Sequence, residues 1–178
     1  FSDEELVTHF LNYGMMEENR TFSAVVDIKY YQHVNADLKG MSAKDALTHL
    51  IERGIGENRE FSAFVNLDFY KQIHKDLSGK NAKEAFQHLL EYGMEENRQF
   101  SAYLDLNYYR QTYKTDLYGM SVKEALQHLI QHGVEEERSF SPVVDIKFYL
   151  GANADLAGMT YKEALDHFFE YGINEERS

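Results

Sequence analysis

The sequence predicts an all-α protein of tandem helical hairpins, about four and a half units of 39–40 residues, stacked as a short solenoid or compact array. Three observations predict it. One ordered set of residues returns at a constant period along the chain. Each period carries two apolar stripes at helical spacing. Each stripe is bracketed by helix-start and turn residues.

The period is anchored by glycines, Gly54, Gly93, Gly133 and Gly172, with Gly14 as an earlier partial copy. A histidine stands five residues before each: His49, His88, His128, His167 and His9. An acidic stretch ending in arginine follows, at Arg59, Arg98, Arg138, Arg177 and Arg20. Phe-Ser comes next at Phe22, Phe61, Phe100 and Phe140, then an aromatic pair, then Asp-Leu. The units run 25–63, 64–102, 103–142 and 143–178, with a partial unit at 1–24. Single-residue insertions between Asp105 and Asp116, and between Gly14 and Arg20, belong in connections.

Within a unit the first element opens at Asp27, an N-cap, and runs through Tyr30-Tyr31, Val34 and Leu38. Apolar positions three or four apart predict a helix of two to three turns, and the β-rich content leaves a short strand as the weaker option. Gly40, Gly79, Gly119 and Gly158 make the turn that follows. The second element opens at Ser42, with Ser2, Asn81, Ser121 and Thr160 as equivalents. An acid stands three residues on in each: Asp45, Glu5, Glu84, Glu124 and Glu163. This is the pattern of a capping box, in which cap and acid each satisfy an orphan amide. Ala46, Leu47, Leu50 and Ile51 then form one apolar face. Gly54 is expected as the left-handed residue closing the helix, with Ile55 as its apolar contact. Pro142 falls between units.

Composition narrows the function. Apolar residues make up 43%, which supports a core, and aromatics at 14% exclude a disordered chain. With no cysteine, disulfides, thiolate catalysis and Cys-based zinc sites are excluded. A net charge of −12 argues against nucleic acid and anionic membrane as partners. No apolar run is long enough for membrane insertion. The chain begins at Phe1 and shows no signal peptide, so it is read as a segment of a longer protein.

The recurrent polar residues have competing readings. The histidines are assigned to packing and hydrogen bonding within hairpins, since no second histidine recurs at a fixed offset and neighbouring helices lie too far apart to share a metal. Asp37, Asp76, Asp116 and Asp155 close the first element, where a carboxylate opposes the helix dipole. Arg59, Arg98, Arg138 and Arg177 are expected to pair with them. The alternative is a calcium cofactor, ligated by the same four aspartates with Glu57, Glu96, Glu136 and Glu175. The aromatic pairs Tyr30-Tyr31, Phe69-Tyr70, Tyr108-Tyr109 and Phe148-Tyr149 are candidates for a binding stripe, with one member of each pair expected in the core. No unique catalytic constellation appears, so no enzyme and no cofactor is expected.

The order aromatic-Tyr, Asn-x-Asp-Leu, Ala-Leu-x-His, Tyr-Gly and Glu-x-Arg resembles an accessory repeat of bacterial secreted and cell-surface proteins, as attached to clostridial cell-wall hydrolases and cyanobacterial surface proteins. Tyr30-Tyr31, Asn35-Ala36-Asp37-Leu38, Ala46-Leu47-Thr48-His49 and Glu57-Asn58-Arg59 carry it, as do Asn153-Ala154-Asp155-Leu156 and Tyr171-Gly172. The chain departs where Asn58, Asn97, Glu137 and Glu176 replace glycine in Glu-Gly-Arg, and where Lys75-Asp76 and Thr115-Asp116 lack the upstream Asn. The resemblance implies an extracellular or cell-surface, non-catalytic module, and the surface made by successive hairpins is expected to bind a protein or a cell-wall polymer. A calcium-dependent surface module and a glycan-binding module are the alternative functions.

Overall fold

The computed structural model describes residues 24–175, and among these the chain is all-helical, with no strand. The partial repeat at 1–24, its cap Ser2–Glu5 and the pairing of Arg177 therefore lie outside the described residues. Two compact units divide between Ala102 and Tyr103.

The first unit contains α1 (Ile28–Val34), α2 (Ala43–His49), α3 (Leu67–Ile73) and α4 (Ala82–His88). The second contains α5 (Leu106–Thr112), α6 (Val122–His128), α7 (Ile146–Ala152) and α8 (Tyr161–His167). Short helices like these have little stability in isolation, so their packing must hold them. Each odd helix packs on the even one after it.

Odd helices start on an Asp or Asn whose side chain accepts the amide three residues on: Asp27, Asn66, Asp105 and Asp145. They last seven residues, about two turns, the short end of the expected range. After α1, α3 and α7 the backbone turns extended at Asn35, His74 and Asn153, then closes a single 3-10 turn ending on buried Leu38, Leu77 or Leu156. The extra residue after α5 is absorbed at Tyr113, whose carbonyl accepts from both Asp116 and Leu117.

Even helices start on the expected caps. The reciprocal box is complete at Asn81–Glu84, Ser121–Glu124 and Thr160–Glu163. At Ser42 the acid is Asp45, whose shorter side chain meets the Ser42 hydroxyl instead, 2.7 Å away. The apolar face is as expected: Ala46, Leu47, Leu50 and Ile51 are all buried.

The expected left-handed closure at Gly54 is corrected by the structure. Gly54, Gly93, Gly133 and Gly172 sit inside a π turn, marked by amides at Ile55, Met94, Val134 and Ile173 that reach back five residues. The left-handed residues come four positions later, at Asn58, Asn97 and Glu137, with φ of 55°, 56° and 53°. There Arg59 N–H donates to the Gly54 carbonyl at 2.9 Å and Asn58 N–H to Ile55 at 3.0 Å. That pair of bonds is a Schellman closure. It places each arginine just beyond the helical end.

Candidate functional site

Each glycine makes room for a tyrosine. A Cβ added at Gly54, Gly93, Gly133 or Gly172 would lie 2.1–2.4 Å from the hydroxyl of Tyr31, Tyr70, Tyr109 or Tyr149. That hydroxyl, lodged in the wide π turn, bonds to Nδ1 of His49, His88, His128 or His167 at 2.8–2.9 Å. Tyrosine, histidine and glycine thus form one lock joining the two helices of a hairpin. Burial pushes the phenols of Tyr31, Tyr70 and Tyr109 up to about 12. His128 is held below its ordinary value by burial, then by the charges of Arg138 and His132.

One member of each candidate pair lies in the core, as expected, and so leaves the binding stripe. Tyr31, Tyr70, Tyr109 and Tyr149 are core residues, because the second place of each pair faces the following helix. Their neighbours Tyr30, Phe69 and Tyr108 are half-buried, and Phe148 is 62% exposed.

The acidic residues converge on arginine. Arg59 binds Asp37 at 2.7 Å and Glu57 at 2.6 Å, and Arg98 binds Asp76 at 2.7 Å and Glu96 at 2.5 Å. Arg138 binds Asp116 at 2.8 Å and also Glu136. It lies over the Tyr113 ring as well, 4.6 Å from its centre. These contacts hold the carboxyls of Asp37 and Asp76 below the usual range. In the fourth repeat Asp155 and Glu175 are both exposed. The alternative calcium ligands Asp37, Glu57, Asp76, Glu96, Asp116 and Glu136 all surround a guanidinium already. No group of three histidine or acidic side chains able to hold a metal occurs among the described residues.

Several polar roles were not visible in the sequence. The caps Asp27, Asn66 and Asp105 also donate their backbone amides to the carbonyls of Phe61, Phe100 and Phe140, at 3.0–3.1 Å. Nearby, the Asn35 side chain donates to Glu60 O at 3.1 Å. His74 bonds through Nε2 to Gln99 O, and the Tyr113 hydroxyl accepts from Ser139 N–H. Three residue types therefore fasten the same stretch ahead of Phe-Ser, replacing the upstream Asn that two repeats lack. Ser62 and Ser141 turn the chain there by accepting the amide two residues on.

Outside these locks several exposed positions vary from repeat to repeat, among them Lys39, Ser78, Tyr118 and Ala157. Just before each glycine stand Arg53, Tyr92, His132 and Tyr171, all exposed. His132 lies 5.3 Å from His128 between ring centres, as Tyr92 lies 5.5 Å from His88. Tyr118 is 92% exposed.

Compared with protein-family models, curated proteins and solved structures, the chain matches none of them. No helix among the described residues is long and apolar enough to cross a membrane.

Proposed function

We propose that the chain is a non-catalytic interaction and scaffolding module of the cell surface, an array of stacked helical hairpins. It engages a protein or a cell-wall polymer. One observation carries this reading: the recurrent polar groups are satisfied inside their own repeats, while an exposed position changes from unit to unit. Tyrosine and histidine bond each other in all four described hairpins, and three arginines hold two acids each. Arg53, Tyr92, His132 and Tyr171 instead present three kinds of side chain at one place in the four hairpins. Solenoid repeats recognise partners in this way, with fixed residues stacking the units and variable ones meeting the ligand. The resemblance to bacterial surface repeats supports the location and the absence of catalysis.

The test is co-sedimentation of the full chain with purified bacterial walls, before and after extraction of wall-bound protein. The chain is expected in the pellet, and Tyr92→Ala with Tyr171→Ala is expected to lower its retention several-fold. Failure to pellet with either preparation, or undiminished retention of the double variant, removes the support for this reading.

A further inference from the structure

The fourth repeat exposes a surface that the other repeats cover. In the first three repeats, the cap amides of Asp27, Asn66 and Asp105 meet the carbonyls of Phe61, Phe100 and Phe140. Those phenylalanines are themselves buried. The segment just before them also touches the first aromatic of the pair. Tyr30 reaches Glu60 at 3.4 Å, and Tyr108 reaches Ser139 at 3.3 Å.

In the fourth repeat the Asp145 amide meets no such carbonyl among the described residues. Phe148 is 62% exposed, where Tyr30, Phe69 and Tyr108 are half-buried. Val143 beside it is 75% exposed. Phe168 is half-buried, although Leu50, Leu89 and Leu129 at its place are fully buried. These residues, with Val144 and Tyr149, line a groove of about 460 Å³. Among the described residues a donor and an apolar wall thus stand open together where three copies of the same structure hold a Phe-Ser segment.

We propose that this groove is a docking surface for the Phe-Ser segment of a further unit of the same repeat. The phenylalanine ring would cover Phe148 and Phe168, and its carbonyl would accept from Asp145 N–H. The occupant is identified by the three internal precedents. The spacing defines the segment: cap and phenylalanine are 34 residues apart in the first two repeats and 35 in the third. The inference is independent of what the array binds.

The full chain, lengthened past Ser178 by a copy of Phe140–Lys147, tests it against the same extension beginning with alanine. Thermal unfolding and amide exchange at Asp145 are the readouts. The phenylalanine form is expected to melt about 4 °C or more above the alanine form. It should also slow exchange at Asp145, and Phe148→Asp should abolish both effects. Equal melting and exchange in the two forms would overturn the proposal. So would a gain that persists in the Phe148→Asp background, because the segment would then be docking elsewhere.

Discussion

The tyrosine–histidine–glycine lock sets the chemistry of single residues. Gly93→Ala would place a methyl 2.1 Å from the Tyr70 hydroxyl and 3.0 Å from its ring, in a buried site. Overpacking of that kind costs about 1–3 kcal/mol, measurable by urea denaturation. Tyr70→Phe, which removes the clashing oxygen, should recover part of the loss in a double-mutant cycle. Gly79 supplies the contrast, since a Cβ there meets nothing and its φ is ordinary. Gly79→Ala should leave stability unchanged or slightly raised. His128 adds a pH dependence of known sign. Its folded form is held neutral by burial, so the unfolded chain binds more protons below about pH 6.5. Stability should therefore fall as pH drops through 6.5, levelling off below the folded value. His128→Gln should shrink that loss in denaturation curves at pH 7.5 and 5.5. Asp37 and Asp76, held low by their arginines, act in a separate window and lose their contribution only under more acid conditions.

At the scale of elements, the hairpin ends carry the strain. Asn58 and Asn97 occupy the left-handed region comfortably, whereas Glu137 does so at a steric cost. Glu137 is linked to Lys147 at 3.0 Å, an exposed pair that contributes little. Glu137→Gly should accordingly raise stability by roughly 0.5–1 kcal/mol, the relieved strain less the entropy of glycine. A guanidinium melt of the two forms checks it. This turn shows what the sequence could convey. Caps were legible because Ser, Asn and Thr followed by Glu have one strong local meaning. The glycines were not, since a glycine needed for space and one needed for positive φ look alike in a sequence. The cue lay in the Asn58–Arg59 step, because asparagine enters the left-handed region more readily than most residues. The tyrosine–histidine bond spans 18 or 19 residues and joins two helices, so no local spacing announces it.

At the scale of the whole molecule, recurrence separates architecture from recognition. Helical content, hairpin units and the Asp–Arg partnership could be read from period and charge alone. The exposed position ahead of the glycines was legible only at Tyr92 and Tyr171, because Arg53 and His132 break the recurrence by which a repeat is found. Stitching of three cap amides to Phe carbonyls was equally hidden, being a backbone bond to which side chains give no clue. The recurrent acids serve the fold by pairing with arginine. The most direct measurement is thermal unfolding of the full chain in millimolar calcium and in chelator, at matched ionic strength. An unchanged melting temperature is the predicted result. A rise with calcium that chelator reverses would contradict the claim, because a ligand bound only by the folded state stabilises it by about 2.7 kcal/mol at a hundred times its dissociation constant.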